Sequence, residues 1–280
     1  MKRIAVIGSG TMGAGIAQAT ALAGYAVVLY DVQDDIVAAA YQSISASIDQ
    51  GVKRGKTPVE VAEKAKAAIE LTTSLTDAAA TDLIIEAAPE KIGLKRDIFK
   101  VLDAAAPPHT ILASNTSSLS ISAIAGATQR PDKVLGLHFF NPAHLMKLVE
   151  IIRGDDTSEE TLAVSQQFIV SLGKTPVACT DTPAFIVNRV ARPFYGEAFR
   201  LLGEQVADVS TIDKLMKSIG FKMGPFELVD LIGCDVNFAV TQSVYEAYFH
   251  DPKYRPHPIQ QRMVESGKLG RKSNRGFYTY

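Results

Sequence analysis

The sequence predicts an α/β protein in which a doubly wound sheet, with helices on both faces, is followed by an all-helical domain. Short runs that are apolar throughout alternate with helical patterns up to about residue 180. Such runs are typical of parallel strands covered on both faces. From Pro183 onward only helical patterns remain, interrupted by Gly and Pro. We therefore expect domains at residues 1–182 and 183–280.

Seven short segments alternate for the most part with helical patterns, and all but the last of them have the composition of buried strands; the alternation stops after that last segment. This order favours an open sheet of the Rossmann type. The segments are residues 4–8, 26–30, 82–87, 110–114, 133–139, 148–152 and 175–180.

The connection after the second of these strands is unusually long and predicts a helical hairpin. Between residues 34 and 54 the apolar positions recur every four residues, which is the stripe of one helix. These positions are Ile36, Ala40, Ile44, Ile48 and Val52. The segment from Thr57 to Glu60 has the pattern of a capping box with proline at the first helical position, which predicts a second helix to about residue 68.

Composition excludes several classes of protein. The formal net charge of −1 provides no global basic field for nucleic acid or an anionic membrane. No run of about 18 apolar residues exists, so no transmembrane helix is expected. Cys179 and Cys234 are far apart, which argues against a disulfide framework or a zinc site. The first apolar run is interrupted at Gly8, so it does not resemble a signal peptide, and a cytoplasmic protein is expected.

A glycine-rich motif follows the first predicted strand and opens a predicted helix. Gly8, Gly10 and Gly13 form the pattern G-x-G-x-x-G, with Thr11 and Met12 between the last two glycines. In this context the glycines permit a tight turn and a close approach of the backbone to pyrophosphate. The N-terminus of the helix then offers N–H groups and a positive dipole end to the phosphates.

Asp31 ends the second predicted strand, where an acid can hydrogen-bond both ribose hydroxyls of a dinucleotide. A carboxylate there would also repel a 2′-phosphate, which favours NAD over NADP. The structural alternative is an ordinary glycine turn followed by an unrelated aspartate. The coincidence of motif, context and acid spacing argues against that alternative.

Polar residues follow two later predicted strands, at the sheet edge where open α/β sheets bind ligands. Asn115 and Ser117 follow one strand, while His138 and Asn141 lie at the end of another. A dehydrogenase needs a group that takes the hydroxyl proton as hydride leaves, and imidazole titrates near neutrality. His138 is therefore the candidate base.

Glu150 lies in the next predicted strand, in the run LVEII, where a carboxylate needs a partner. It could orient His138 by binding the second ring nitrogen. The residues alone leave open a simpler alternative, in which Glu150 faces solvent at a strand end and His138 is only packed.

Several linked motifs make the chain resemble the 3-hydroxyacyl-CoA dehydrogenases over essentially its whole length. They are SNTSS at 114–118, HFFNP at 138–142 with Glu150 twelve residues after His138, DTPAFIVNRV at 181–190, KMGPFELVDLIGCDV at 222–236 and GRKSNRGFYTY at 270–280. The resemblance is closest to stand-alone bacterial members that act on 3-hydroxybutyryl-CoA. It implies reversible, NAD-dependent oxidation of an (S)-3-hydroxyacyl-CoA to the 3-oxoacyl-CoA.

The resemblance also implies roles for individual residues. His138 would be the catalytic base and Glu150 its orienting partner; Ser117 would hydrogen-bond the reacting oxygen, and Asn188 would position the substrate. Further residues would lie around the cofactor; these are Glu90, Lys95, Asn115, Asn141 and Lys272. Simpler alternatives remain for some of them: a structural Asn188, an exposed charge pair for Glu90 and Lys95, and a solvated Lys272.

A basic cluster at the turn of the predicted hairpin suits the phosphates of coenzyme A. It contains Lys53, Arg54 and Lys56, although cations at a helix end also suit the helix dipole. The resemblance implies that Ser47, Lys53 and Arg54 contact coenzyme A, and an arginine can fork onto phosphate.

The resemblance further implies an acyl-CoA as the partner and a homodimer formed through the C-terminal domain. Two rival functions stay open. One is a dehydrogenase of a 3-hydroxy acid or carnitine-like substrate without coenzyme A. The other is a nucleotide-binding sensor or structural protein without catalysis.

Overall fold

The computed structural model describes all 280 residues, and contacts divide the chain into two compact units, Met1–Thr182 and Pro183–Tyr280. The first is a mixed α/β unit and the second is helical, which confirms the predicted fold class. No helix is both long and apolar enough to cross a membrane.

The first unit is built on one sheet of eight strands in the order β3-β2-β1-β4-β5-β6-β7-β8. The strands are β1 (Arg3–Ile7), β2 (Ala26–Tyr30), β3 (Ile69–Thr72), β4 (Leu83–Glu86), β5 (Ile111–Ser114), β6 (Val134–Phe139), β7 (Leu148–Arg153) and β8 (Thr175–Thr180). Strands β1, β4 and β5 at its centre are almost fully buried, as their apolar composition requires.

Strand β7 runs antiparallel to β6, so the expectation of a sheet built from parallel strands alone is wrong at this point. The other neighbouring pairs are parallel. The short connection at residues 140–147 explains the difference, because a parallel neighbour needs a crossover of about a dozen residues or more.

Seven helices cover the sheet. They are α1 (Thr11–Leu22), α2 (Asp34–Lys53), α3 (Val59–Ala67), α4 (Leu75–Ala78), α5 (Ile92–Ala105), α6 (Ile121–Ala125) and α7 (Glu159–Ser171). Helices α2 and α3 form the predicted hairpin, and β3 follows it directly. The sequence analysis missed β3, because this edge strand has four residues and buries only Ile69.

Two details of the hairpin differ from the prediction. The apolar stripe of α2 begins with buried Val37, whereas Ile36 is largely exposed. The capping box at Thr57 does not form, because α3 begins at Val59 without a side-chain cap and Glu60 pairs instead with Lys64.

The second unit contains five helices: α8 (Val187–Gly203), α9 (Val209–Ser218), α10 (Pro225–Ile232), α11 (Cys234–Ala247) and α12 (Pro258–Glu265). Its core contains a group of aromatic rings, in which Phe226 lies 5.6 Å from Phe199 and 4.8 Å from Phe277 between ring centroids. Buried Asp230 accepts hydrogen bonds from the backbone N–H groups of Phe277 and Tyr278, so the C-terminal tail is held against α10.

Candidate active site

The turn between β1 and α1 depends on its glycines. Gly8 has a φ of +97°, and a Cβ there would lie 2.9 Å from the carbonyl oxygen of Ala87. A Cβ on Gly13 would lie 1.8 Å from the carbonyl oxygen of Gly8. Gly10 has open space where its Cβ would be, so the surface at the start of the helix is clear. The turn therefore leaves its backbone accessible to a ligand.

Helix α1 starts at this turn with the features of a phosphate site. Gly10 is its N-cap, no side chain caps the helix, and no acidic residue lies in the first turn. No side chain caps the N–H groups at this end of the helix, and the helix dipole favours an anion there. These residues fit the pyrophosphate of a dinucleotide.

Asp31 lies beside the glycine turn, as the sequence motif predicts. Its Oδ2 accepts hydrogen bonds from the backbone N–H and the hydroxyl of Ser9, each at 2.7 Å. Its Oδ1 accepts a bond from the backbone N–H of Val32 at 2.8 Å. The carboxylate is therefore fixed at the carboxyl end of β2, the position of a ribose-binding acid.

His138 and Glu150 form a buried pair near the carboxyl end of β6. The imidazole Nδ1 of His138 lies 2.7 Å from Oε2 of Glu150, and the two residues are 6% and 0% exposed. The alternative of a solvent-facing Glu150 is therefore excluded. A carboxylate on Nδ1 fixes the ring orientation and stabilises an imidazolium, which is what a general base requires.

The strand ends around His138 are tied together. The side-chain oxygen of Asn115 accepts a hydrogen bond from the backbone N–H of Phe139 at 2.9 Å. The ring of Phe140 lies 4.4 Å from the imidazole of His138 between centroids. Asn115 thus links the end of β5 to β6, and Asn141 is exposed immediately beyond Phe140.

The connection after β6 is anchored by Lys174, which the sequence analysis did not single out. Its buried ammonium donates to the carbonyl oxygens of Ala143 and Met146 at 2.7 and 2.6 Å, and burial lowers the pKa of Lys174. Ala143 also packs against Gly15 of α1, where an added Cβ would lie 3.1 Å away. These contacts fix the segment that begins with Asn141.

A second buried ionic cluster lies at the ends of β4 and β5. Lys95 is 1% exposed and donates to Oε1 of Glu86 at 2.6 Å. Glu90 accepts bonds from the hydroxyl of Thr116 at 2.6 Å and from the backbone N–H of Ser117 at 2.9 Å. Lys95 is therefore buried, whereas Glu90 remains 38% exposed at the edge of the cluster, so the simpler alternative of an exposed charge pair fails for Lys95.

Glu86 is the member of this cluster that the sequence analysis missed. It is a carboxylate inside the apolar strand 82–87, the same signal that identified Glu150. Its partner Lys95 lies nine residues away on another element, so sequence spacing does not connect the two.

The basic cluster at the hairpin turn is exposed in the structure. Lys53 ends α2, while Arg54 and Lys56 follow in the turn, and Ser47 is half-buried on α2. This arrangement presents three cations to solvent, as both the coenzyme A prediction and the helix-dipole alternative require.

Asn188 and Lys272 lie in the second unit. Asn188 is half-buried at the start of α8, and its carbonyl oxygen accepts a bond from Arg192. The ammonium of Lys272 lies 2.6 Å from the carboxylate of Asp235 at the start of α11. Lys272 therefore forms an ion pair while its side chain stays 46% exposed.

The geometry of the first unit defines a class of protein. A glycine turn with the features of a phosphate site, a fixed carboxylate at the end of β2 and a buried pair of His138 and Glu150 lie at one edge of the sheet. Ligands of open α/β sheets bind along this edge. The first unit is that of a nucleotide-dependent dehydrogenase.

Comparison with known proteins gives the family. Residues 3–182 match the family model described as 3-hydroxyacyl-CoA dehydrogenase, NAD binding domain, and residues 185–280 match the corresponding C-terminal domain. The chain belongs to the 3-hydroxyacyl-CoA dehydrogenase family. It is an oxidoreductase whose cofactor is NAD.

Individual relatives agree with this assignment. The chain is 47% identical over its whole length to 3-hydroxyadipyl-CoA dehydrogenase of Escherichia coli but spans only 59% of that relative. It is 44% identical to 3-hydroxybutyryl-CoA dehydrogenase of Bradyrhizobium diazoefficiens, covering all of this chain and 96% of the relative. The solved structure of (S)-3-hydroxybutyryl-CoA dehydrogenase from Ralstonia eutropha superposes with a TM-score of 0.95 at 42% identity, covering 100% of this chain and 99% of that one.

Proposed function

We propose that this protein catalyses the reversible oxidation of (S)-3-hydroxybutyryl-CoA to acetoacetyl-CoA with NAD. The observation that carries the proposal is the buried contact between His138 and Glu150, on the same sheet edge as the glycine turn. The relatives named for 3-hydroxybutyryl-CoA at 42–44% identity support the four-carbon substrate.

The chain's own residues would hold NAD along that edge. The glycine turn of Gly8, Gly10 and Gly13, with Thr11 and Met12 between them, would bind the pyrophosphate, and Asp31 the ribose. The remaining candidates are Glu90, Lys95, Asn115, Asn141 and Lys272. Bound NAD supplies the acceptor for the hydride that leaves C3.

Proton transfer is the task of His138 in this proposal. During oxidation its Nε2 takes the proton of the 3-hydroxyl group, and during reduction it returns one. Glu150 on Nδ1 stabilises the imidazolium and holds the ring in place. Ser117 would hydrogen-bond the reacting oxygen, and Asn188 would position the thioester.

The coenzyme A moiety would bind at the hairpin turn. Lys53 and Arg54 are exposed at the end of α2, and Ser47 lies about two turns earlier on the same helix. The positive charges of Lys53 and Arg54 suit the phosphates of coenzyme A. A coenzyme A site at this turn distinguishes the proposed enzyme from a dehydrogenase of free 3-hydroxy acids.

A spectrophotometric assay tests the proposal. NADH oxidation should be rapid with acetoacetyl-CoA and slow with acetoacetate, which has the same reacting ketone but lacks coenzyme A. Longer 3-oxoacyl-CoA thioesters test the preferred length of the acyl chain. A 3-oxoacyl-CoA whose acyl chain ends in a free carboxylate tests the substrate class of the E. coli relative. A protein that binds NADH but reduces none of these thioesters would contradict the proposal and favour a non-catalytic nucleotide-binding protein.

We also propose a homodimer formed through the C-terminal unit. This unit exposes several large apolar side chains, including Val190 at 69%, Leu215 at 61%, Ile219 at 65% and Phe221 at 48%. Exposed apolar surface of this kind is commonly covered by a partner. Sedimentation equilibrium should give twice the chain mass of 30.1 kDa, and a single-chain mass would contradict the proposal.

The proposed location is the cytoplasm. The ordinary composition, two free cysteines and bacterial relatives support it. Fractionation of the source cells with immunodetection tests it, and recovery of the protein in a membrane or secreted fraction would contradict it.

A further inference from the structure

Glu86 occupies an unusual position for a carboxylate. It ends the central strand β4 and is 0% exposed. Its Oε1 accepts bonds from the backbone N–H of Ala88 at 2.7 Å and from Lys95 Nζ at 2.6 Å, and its Oε2 accepts a bond from the hydroxyl of Ser114 at 2.6 Å. Both oxygens are therefore satisfied, which is the condition for burying a charge at this depth.

Lys95 connects this carboxylate to a second one. Its ammonium also donates to the carbonyl oxygen of Ala88 at 3.1 Å and lies 3.4 Å from Oε2 of Glu90. The position of Glu90 is thus coupled through one buried cation to the end of β4.

Glu90 directs its other oxygen at the loop after β5. Its Oε1 accepts bonds from the hydroxyl of Thr116, and from both the backbone N–H and the hydroxyl of Ser117 at 2.9 and 3.2 Å. Burial opposes ionisation of Glu90, but Lys95 and these donors outweigh it and lower its pKa. The charged form of Glu90 is therefore the one that holds the loop.

The cluster contains two carboxylates, although one would be enough to neutralise the buried ammonium of Lys95. Glu86 alone would neutralise the ammonium, yet the chain adds Glu90, whose side chain is 38% exposed and whose remaining oxygen is given to residues 116 and 117. A chain of contacts thus runs from Glu86 through Lys95 and Glu90 to the backbone N–H of Ser117.

We propose that Glu86 is a positioning residue for the reaction: through Lys95 and Glu90 it fixes the backbone of Ser117, so that the Ser117 hydroxyl can turn from Glu90 and donate its single proton to the reacting oxygen of the substrate. The inference rests on the proposed function, because it assigns Ser117 that contact. Glu86 itself touches no substrate in this proposal.

A double-mutant cycle tests the inference with acetoacetyl-CoA and NADH. Ser117→Ala should lower kcat by about 100–1000-fold, the usual loss for one donor to a developing oxyanion. Glu86→Gln keeps the shape but removes the charge, and should lower kcat by about 10–100-fold, as a misplaced catalytic group does. In the double variant the two losses should not multiply, because both act on the same hydroxyl.

Two further readouts separate positioning from stability. The Kd for NADH, measured by fluorescence without the thioester, should change much less than kcat in Glu86→Gln, and kcat is measured at saturating NADH. Asp103→Asn is the matched control, since it disrupts the largely buried Asp103–Arg130 ion pair near the opposite end of α5. It should lower the melting temperature and leave kcat unchanged.

A variant with both charges removed covers the case in which Glu86→Gln does not fold. Leaving Lys95 buried without its carboxylate is strongly destabilising, whereas replacing both charges by apolar groups is often tolerated. Glu86→Leu combined with Lys95→Met should therefore fold and show the same loss of kcat.

The outcomes separate the two proposals. If the wild type does not reduce acetoacetyl-CoA, the proposed function fails. If the wild type is active but the Glu86 and Ser117 losses multiply, or if Asp103→Asn lowers kcat equally, the positioning role is overturned. Equal kcat in the wild type and in the variant without both charges would overturn it as well.

Discussion

His138 and Glu150 stand directly opposite each other on the antiparallel strands β6 and β7, and their side chains meet at 2.7 Å. Side chains opposite each other in such a pair lie on the same face of the sheet, with Cβ atoms about 5 Å apart. The twelve-residue spacing in the sequence is therefore the length of a strand end, a short connection and the start of the returning strand.

Removal of the charge on Glu150 should lower activity without removing the base. Glu150→Gln should reduce kcat by about 10²–10⁴-fold, because the imidazolium loses its partner and the ring its fixed orientation. Steady-state kinetics with acetoacetyl-CoA measures the loss, and His138→Gln should cause one at least as large. Near-normal turnover in either folded variant would remove that residue from the mechanism.

The two directions of the reaction should respond to pH in opposite ways. Reduction needs a protonated imidazole, because His138 donates a proton to the forming alkoxide, whereas oxidation needs the neutral ring. The rate of reduction should therefore fall as pH rises, and the rate of oxidation should rise over the same range. Profiles with the same sign in both directions, under conditions where chemistry limits the rate, would exclude His138 as the single proton carrier.

Asp31 should determine the choice of cofactor. The wild type should prefer NADH to NADPH, and Asp31→Ala should narrow the ratio of their kcat/KM values by losing the ribose contact and the repulsion of the 2′-phosphate. Asp35→Ala is the control, since it removes an acid from the first turn of α2. A wild-type preference for NADPH would show that the role assigned to Asp31 is wrong.

Arg54 should act on the thioester and not on the nucleotide. Arg54→Glu should raise KM for acetoacetyl-CoA, leave KM for NADH unchanged and preserve kcat at saturation, since the contact is equally present in the ground and transition states. Lys64→Glu reverses a charge on exposed α3 and serves as the control. Equal changes for both substrates would count against a coenzyme A site at the hairpin turn.

Glu90 should make stability sensitive to acid. Burial opposes the charged form, but Lys95 and the bonds from Thr116 and Ser117 lower its pKa below the ordinary 4.5. The unfolded chain thus takes up this proton first, so the stabilisation is present above pH 4.5 and is lost as pH falls through the folded pKa.

Urea unfolding at a series of acidic pH values tests this. Glu90→Gln should lose less stability than the wild type below pH 4.5, while Glu60→Gln on exposed α3 should follow the wild type. Identical pH dependence in Glu90→Gln and the wild type would show that this carboxylate is not the group responsible.

The fold was predictable wherever burial dictates composition. Strand β2 lies at residues 26–30 as predicted, because both of its faces are covered. Strand β3 was missed because an edge strand with one buried residue has no such pattern. The direction of β7 was missed because apolar composition carries no direction, although the length of the connection before it does.

The site was predictable where one motif carries the chemistry. The turn at Gly8 and the acid at Asp31 follow from a local pattern and its context. The contact between Glu86 and Lys95 does not, because the two residues meet only after a strand, a turn and the start of a helix have folded. The sequence could have identified Glu86 as a buried acid, because it lies in an apolar strand. It could not have identified Lys95 as its partner.

The register of β7 against β6 has a consequence for the kind of change this enzyme tolerates. A slip of one residue would turn Glu150 to the opposite face and set a neighbouring apolar side chain, Val149 or Ile151, toward the imidazole. Both neighbours are fully buried, so they hold the register that places Glu150 against the imidazole of His138. In the proposed mechanism, substitutions that loosen this strand pairing would lower kcat, even though they replace no residue that exchanges a proton.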